Sequence, residues 1–485
     1  MEVKDKEKIA AELEKIVGAE HVSTAQADLY SYSRDMTQNK PSWPDFVVMP
    51  DGVEEVQGVM RLANREKIPV IPYTAGASIG GLTIPLKGGI ILDLGRMNRL
   101  IEFNEPDRYM IVEPAFTFGD LRRLLDKEYP HLHYGFCMAP PASSCMSNAL
   151  LIGFGYNSNS LGTNADNVNG MEVVLPTGEV VKIGSCAVSP YWSNRGPLPD
   201  LAGLFLGWQG ATGVVTKIAL QVWPRHPFSQ TRLLFTTGIR PTCTLLRRVS
   251  QTQICEQAVA FASELEGEWP PDPARWAASE TGGGGQTAAT FDRPPGPDTF
   301  SVLLRVEVDS EDELKAKNAL LDVFIKEELK GTEFIELPAQ WTDMAQFPTR
   351  GTSEHLGGLT WIGTMGPVSQ WIKAMEKVLP LFDKYRLRRV AGICGFRGGH
   401  YGMLRPIVAY NNSDPDEVER VEKFMQEILQ VVLDCGFVPY KAHVWAVEEM
   451  MRRGDPNWVE LLTRVKKMLD PNNIMNPGRY GDTRG

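Results

Sequence analysis

The sequence predicts an α+β chain built in two halves of different rhythm, and three stretches carry that expectation. Within residues 45–73, "DFVVMP" reads as a strand, "GVEEVQGVMRLANREK" as a helix and "IPVIPY" as a strand, a β-α-β unit. From residue 359, "LTWIGTMG", "SQWIKAMEKVLPLFDKY", "RRVAGICGF", "MLRPIVAY", "PDEVERVEKFMQEILQVVLDCG" and "FVPYKAHVW" follow each other. That order, strand, helix, strand, strand, helix, strand, suits antiparallel split β-α-β units. Last, "WVELLTRVKKMLDPNNIMNPGRY" reads as a helix stopped by Pro471, then a turn-rich tail that must pack on something.

The remaining elements follow in order. Residues 6–17 have the spacing of an amphipathic helix, and "GGIILDL" is a strand. "RYMIVEPAFTFGDLRRLLDKEYP" is a strand and then a helix with Thr117 as N-cap. "MEVVLPTGEVVKI" is a hairpin turning at Pro176-Thr177-Gly178. "GVVTKIALQVWP" closes the first half near residue 224. "TFSVLLRVEV" and "SEDELKAKNALLDVFIKEE" are strand and helix. Between the halves, residues 266–298 are rich in Pro and Gly and read as a long surface excursion. The expected domains are 1–225 (core about 41–225), 226–440, and a return segment, 441–485.

Composition narrows the function. A chain of 485 residues holds two or three domains at about 100–200 residues each. The net charge of −10 argues against a nucleic-acid surface. Seven scattered cysteines without a CxxC pair argue against zinc or iron–sulfur ligation and for reduced thiols in the cytoplasm. No metal site is expected. The N-terminus lacks a signal peptide's apolar core, and no run approaches the ~20 apolar residues of a membrane span.

The stretch "IPYTAGASIGGLT", residues 71–83, crowds Gly76, Gly80 and Gly81 with hydroxyls and holds no cation. It fails the P-loop pattern, because Leu82 follows Gly81. It fails the dinucleotide-binding pattern, because the residues after it, with Pro85, are not helical. What is left is a nest of backbone N–H groups curled around an anion, which only small residues permit. "PPASSCMSNALLIGFGYNSNSLG" (140–162) supplies a candidate second wall. Two tight surface turns would explain the same composition.

These residues resemble the FAD-binding domain of the vanillyl-alcohol oxidase / p-cresol methylhydroxylase (PCMH) flavoproteins. The likeness runs from "PDFVVMP" to "FGDLRRLL" and through "NGMEVVLPTGEVVKIGS" and "GLFLGWQGATGVVTKIALQVWP". It returns in "MLDPNNIMNPGRY". It implies a two-subdomain FAD domain, an antiparallel-sheet cap flanked by helices, and a chain that returns to the FAD domain. It also implies that Thr74, Ala75, Gly76, Ala77, Ser78 and Gly80 cradle the FAD pyrophosphate. Pro140, Ser144, Cys145, Ser147, Asn148, Tyr156, Gly213 and Val215 would line the cofactor further, with Asn476 and Arg479 near the flavin.

A reduced flavin carries negative charge, so a nearby cation stabilises it. Arg397, Arg405, Lys441, His443 and Arg479 are candidates. Tyr440-Lys441 is similar to a Tyr-Arg pair that holds a phenolate in the aromatic-alcohol branch, with Lys in place of Arg. A Tyr-Lys pair at a domain seam is the other reading. The phenol branch's loop tyrosine is absent, and so is the "GDGNxH"-type metal segment of the 2-hydroxy-acid branch; "GFRGGHYGM" stands there. His400 or Tyr401 could tether FAD, against the expectation of a core histidine and non-covalent FAD. Asp166 is either an acid beside the reacting carbon or an Asx turn. The expectation is an FAD oxidoreductase taking hydride from a small alcohol or 4-alkylphenol. D-2-hydroxy-acid oxidation, flavin-dependent alkyl transfer and an electron-transfer subunit are alternatives. The acceptor stays open among oxygen, cytochrome, quinone and an iron–sulfur subunit, and a homodimer or a complex is expected.

Overall fold

Short β-branched runs become the buried centre of a mixed sheet. The computed structural model describes residues 5–77, 79–137, 139–263, 299–332, 334–339 and 357–481; Ser78 and 266–298 lie outside the described residues. Strands β1 (Val22–Ser23), β2 (Phe46–Val48), β3 (Val70–Tyr73) and β4 (Ile90–Asp93) form a sheet ordered β1-β2-β4-β3. β2, β4 and β3 are parallel, and the helix Val53–Glu66 makes the crossover. Alternation splits the side chains between two faces. Phe46, Val48, Val70, Ile90 and Leu92 meet Val56, Val59 and Met60 of the crossover helix and Leu13 of the helix Lys6–Val17. Val47, Ile71 and Ile91 meet Tyr32 and Tyr73 on the opposite face.

A second sheet of the same unit is antiparallel: β5 (Leu100–Asn104), β6 (Tyr109–Val112), β8 (Val168–Val174), β9 (Val180–Gly184) and β10 (Val214–Gln221), ordered β5-β6-β10-β8-β9. β7 (Leu132–His133) pairs with β11 (Trp223–Pro224). Thr117 caps the helix Phe118–Glu128 in a reciprocal capping box with Asp120. The stretch 140–162, read as a loop wall, contains two short helices, Cys145–Leu150 and Ser158–Leu161.

The described chain divides into two units. Met1–Gly155, Thr163–Arg225 and Lys441–Gly485 form one; Tyr156–Gly162 and His226–Tyr440 form the other. The second unit is a β-α-β-β-α-β motif made twice. Its first copy is β12 (Phe228–Thr237), the helix Ile239–Thr252, β13 (Gln257–Ser263), β14 (Thr299–Val308), the helix Glu311–Glu328 and β15 (Phe334–Ala339). Its second copy runs from β16 (Gly357–Trp361) and β17 (Thr364–Gly366) through the helix Trp371–Lys384, β18 (Val390–Phe396), β19 (Tyr401–Asn411) and the helix Pro415–Asp434 to β20 (Val438–Pro439). The order β15-β12-β14-β13-β18-β19-β17-β20 joins the copies edge to edge through β13 and β18.

Two expected strands differ. "LTWIGTMG" breaks at Ile362–Gly363 into β16 and β17, and the Tyr440 ring lies against Gly363, its Cε1 2.6 Å from where a Cβ would stand. The strand expected to reach Lys441 is only Val438–Pro439. Lys441 has φ +49°, which ends the extended conformation.

Candidate functional site

The loop after β3 is built from the chain's two ends. Gly80 has φ +150°, and a Cβ there would stand 3.0 Å from the Lys441 carbonyl oxygen. Gly81 has φ +72°; its N–H donates to Asp35 Oδ2 at 2.7 Å, and its carbonyl accepts from Arg479 Nη2 at 2.5 Å. Gly80 lets backbone meet backbone, and Gly81 lets its backbone meet the side chains of Asp35, Asn39 and Arg479.

The tail reaches the loop because it joins the first sheet. Val70 N–H donates to Ile474 O at 2.7 Å, and Asn476 N–H donates to Val70 O at 2.8 Å. Asn476 Nδ2 donates to Gln209 O at 2.7 Å and to Leu82 O at 3.3 Å. Beneath it, Lys466 Nζ meets Asp470 Oδ2 at 2.6 Å and donates to Ala211 O and Met475 O. Both ionised side chains are buried. Periodicity gives no sign of this ion pair; sequence reasoning missed it.

Arg479 carries the cation that the loop itself lacks. It is buried, and among the described residues its Nε and Nη1 have no hydrogen-bond partner. Burial pushes the guanidinium down to about 10, with Asp35 opposing, so it is charged at neutral pH. A buried guanidinium with two unused donor nitrogens fits an anionic group. The buried Gln209 Oε1, also without a partner among the described residues, adds an acceptor. These residues fit the charged and amide-bearing parts of FAD.

The other expected cofactor residues divide. Thr74 Oγ1 and Ser147 Oγ are 2.9 Å apart, so the loop and the second wall touch. Ala75 and Ala77 are exposed, and a Cβ on Gly76 would meet Tyr73 Oη. Ser144 spends its side chain capping the helix Cys145–Leu150 and donating to Pro114 O. Cys145 is buried in the core, Asn148 Oδ1 accepts from Asn164 Nδ2, and Pro140 is exposed. Gly213 allows close approach to Val173 and the Val174 carbonyl, and Val215 pairs with Val173 in the sheet. Tyr156 lies with the second unit.

Of the catalytic candidates, Lys441, His443 and Asp166 belong to the first unit, and Arg397, His400, Arg405 and Tyr440 to the second. His443 is buried, with Nδ1 3.1 Å from Asn39 Nδ2. Tyr440 is buried against Gly363, and its N–H donates to Gly363 O. Arg405 is buried, 5.4 Å from the Trp361 ring centroid. His400 is not the core histidine expected. It is exposed, in a turn with φ +64° at Gly398 and +68° at Gly399. Arg397 is exposed in the same turn, and the Tyr401 ring packs at a tilt against Phe396. Asp166 Oδ2 accepts from Thr163 N–H and Oγ1 at 2.8 and 2.9 Å, a local turn.

Residues 44–184 match the family "FAD binding domain", and residues 276–480 match "FAD linked oxidases, C-terminal domain". The chain belongs to the PCMH-type FAD-linked oxidoreductase family. As a member of that family it is an FAD-dependent oxidoreductase. It is 23% identical to the glycolate oxidase subunit GlcD of Bacillus subtilis, over 97% of this chain and 96% of that one. It is 25% identical to the flavoprotein subunit of 4-cresol dehydrogenase (hydroxylating) of Pseudomonas putida, over 96% and 94%. A crystal structure of p-cresol methylhydroxylase with substrate bound superposes with a TM-score of 0.83 at 22% identity, covering 99% of this chain and 97% of that one; that likeness is one of fold. Among the described residues no helix is long and apolar enough to cross a membrane, and no cluster of His, Cys, Asp and Glu could hold a metal ion.

Proposed function

We propose that this oxidoreductase oxidises a 4-alkylphenol or a related benzylic alcohol. One observation carries the proposal: the Lys441 carbonyl packs on Gly80, which sets Lys441 beside the glycine-rich loop. FAD, when bound, supplies the hydride acceptor. Tyr440 and Lys441 donate hydrogen bonds to the phenolate oxygen and hold its charge as the ring becomes a quinone methide. Lys can pair with that oxygen as a point charge, without the fork of an Arg. FAD is held without a covalent bond, and a separate acceptor or partner subunit takes the electrons onward.

The competing reading, a D-2-hydroxy acid, draws on the equally long likeness to a glycolate oxidase subunit. Its carboxylate would pair with Arg397 or Lys441. Anaerobic stopped-flow reduction separates the two. Tyr440→Phe and Lys441→Met should each slow reduction by 4-alkylphenols about 10- to 200-fold, the worth of one charge-assisted hydrogen bond. Rapid bleaching by D-lactate or glycolate, with Arg397→Met the most damaging change, would replace the phenol with the hydroxy acid. Acid precipitation of the same preparation should release all the FAD. A yellow pellet that Tyr401→Phe or His400→Ala turns colourless would reveal a tether.

A further inference from the structure

The hydrogen bonds around Asn39 admit one assignment of protons. The Asp35 carboxylate accepts from Gly81 N–H at 2.7 Å, from Thr37 N–H at 2.9 Å and from Thr37 Oγ1 at 2.5 Å. A carboxylate has no proton to give, so the Thr37 hydroxyl donates to it. The Thr37 oxygen is then an acceptor toward its other neighbours. The side-chain amide 2.6 Å away must present its nitrogen, and Asn39 Nδ2 is there. That nitrogen has a second proton, and His443 Nδ1 stands 3.1 Å away to accept it. Nδ1 therefore holds a lone pair, and the ring proton sits on Nε2.

We propose that Asp35, Thr37 and Asn39 form a positioning relay that sets His443 as the neutral Nε2–H tautomer. All four residues belong to the first unit. The arrangement inverts the familiar carboxylate–histidine pair. There, an acceptor takes the near N–H and leaves the far nitrogen free to remove a proton. Here a donor takes the near lone pair, and the far nitrogen carries the proton. Charging the ring would set Nδ1–H against the Asn39 N–H. His443 is therefore a hydrogen-bond donor suited to an electron-rich oxygen or nitrogen, and not a base for an alcohol. The inference goes beyond the substrate proposal and does not depend on it. It also gives Asp35 two tasks, since the same carboxylate grips the cofactor loop at Gly81.

If these contacts only pack residues 35–39 in place, breaking them would change stability but not the ring's proton. The test therefore reads the tautomer directly. Holoenzyme labelled with 15N-histidine is followed by long-range 1H–15N correlation across pH, with His443→Gln identifying the His443 signals. The wild type should show the proton on Nε2, and Thr37→Ser should match it. Thr37→Val removes the hydroxyl and lets the amide rotate, so a mixture of tautomers should appear. Asn39→Asp places an acceptor at Nδ1; the proton should move there, and the imidazolium should persist to higher pH. Should Asn39→Asp fail to fold, Thr37→Val reads the same relay. A wild-type His443 with its proton on Nδ1 overturns the proposal by itself. So does an unchanged tautomer in Thr37→Val or in a folded Asn39→Asp.

Discussion

The two halves of the loop 74–82 share a composition and differ in kind. Thr74–Ala77 is half-buried or exposed and meets the second wall through Thr74 and Ser147. Ile79–Leu82 is buried, and three distant segments close on it: Asp35, Lys441 and Arg479. A glycine-rich stretch is usually taken to bare its backbone to a ligand. Here only the first half is open to one, while the second half uses its glycines to meet the protein's own carbonyls and amides. The same residue type answers two demands within a few positions.

Breaking the closed half at its root should have the largest effect. Lys466→Met leaves Asp470 buried without its counter-ion, held only by the Ile474 and Met475 N–H groups, which costs about 3–5 kcal/mol. Urea unfolding of the holoprotein measures it, and unchanged stability would show that the tail does not depend on the pair. Next, the glycines separate the halves. Gly80→Ala meets a backbone oxygen, whereas Gly76→Ala meets the movable end of Tyr73. Each incurs about 1–3 kcal/mol of backbone strain, so Gly80→Ala should lower Tm and FAD retention more than Gly76→Ala; the reverse order would undo the comparison. The smallest effects concern single hydrogen bonds. Arg479→Met should weaken FAD binding about 10- to 200-fold, as loss of a charged donor does, and Thr74→Val roughly 2- to 13-fold, as loss of a neutral one does. Fluorescence titration of apoprotein with FAD gives both values.

How much of this the sequence shows depends on how far apart the partners lie. The reciprocal bond between Thr117 and Asp120 emerges only from the structure, but the N-cap at Thr117 is local and was legible in the sequence. So was the hairpin of β8 and β9, whose turn residues sit between two β-branched runs. β12 and β13, with the helix between them, escaped notice. Buried Thr231, Arg232 and Thr236 interrupt the apolar run of β12, so neither alternation nor a continuous stretch stands out. His400 was misplaced for a related reason: two glycines in the left-handed region turn the chain outward there, and a list of residues does not show direction. The clamp itself joins positions 46, 398 and 404 residues apart. Contacts at such separations leave no periodic trace. Asn476 and Arg479 were found only through the family likeness, while Asp35, Asn39 and Lys466 carried no signal of their own.

The first unit combines residues from both ends of the polypeptide, and this orders events during synthesis. Until the ribosome has translated the codons for Ile474 to Arg479, β3 has a bare edge and Gly81 lacks its guanidinium. The second unit, contiguous apart from Tyr156–Gly162, has its described strands well before then. A nascent chain therefore completes its second unit before it can complete the contacts that close on Gly81. Closure of the loop therefore waits for the return segment.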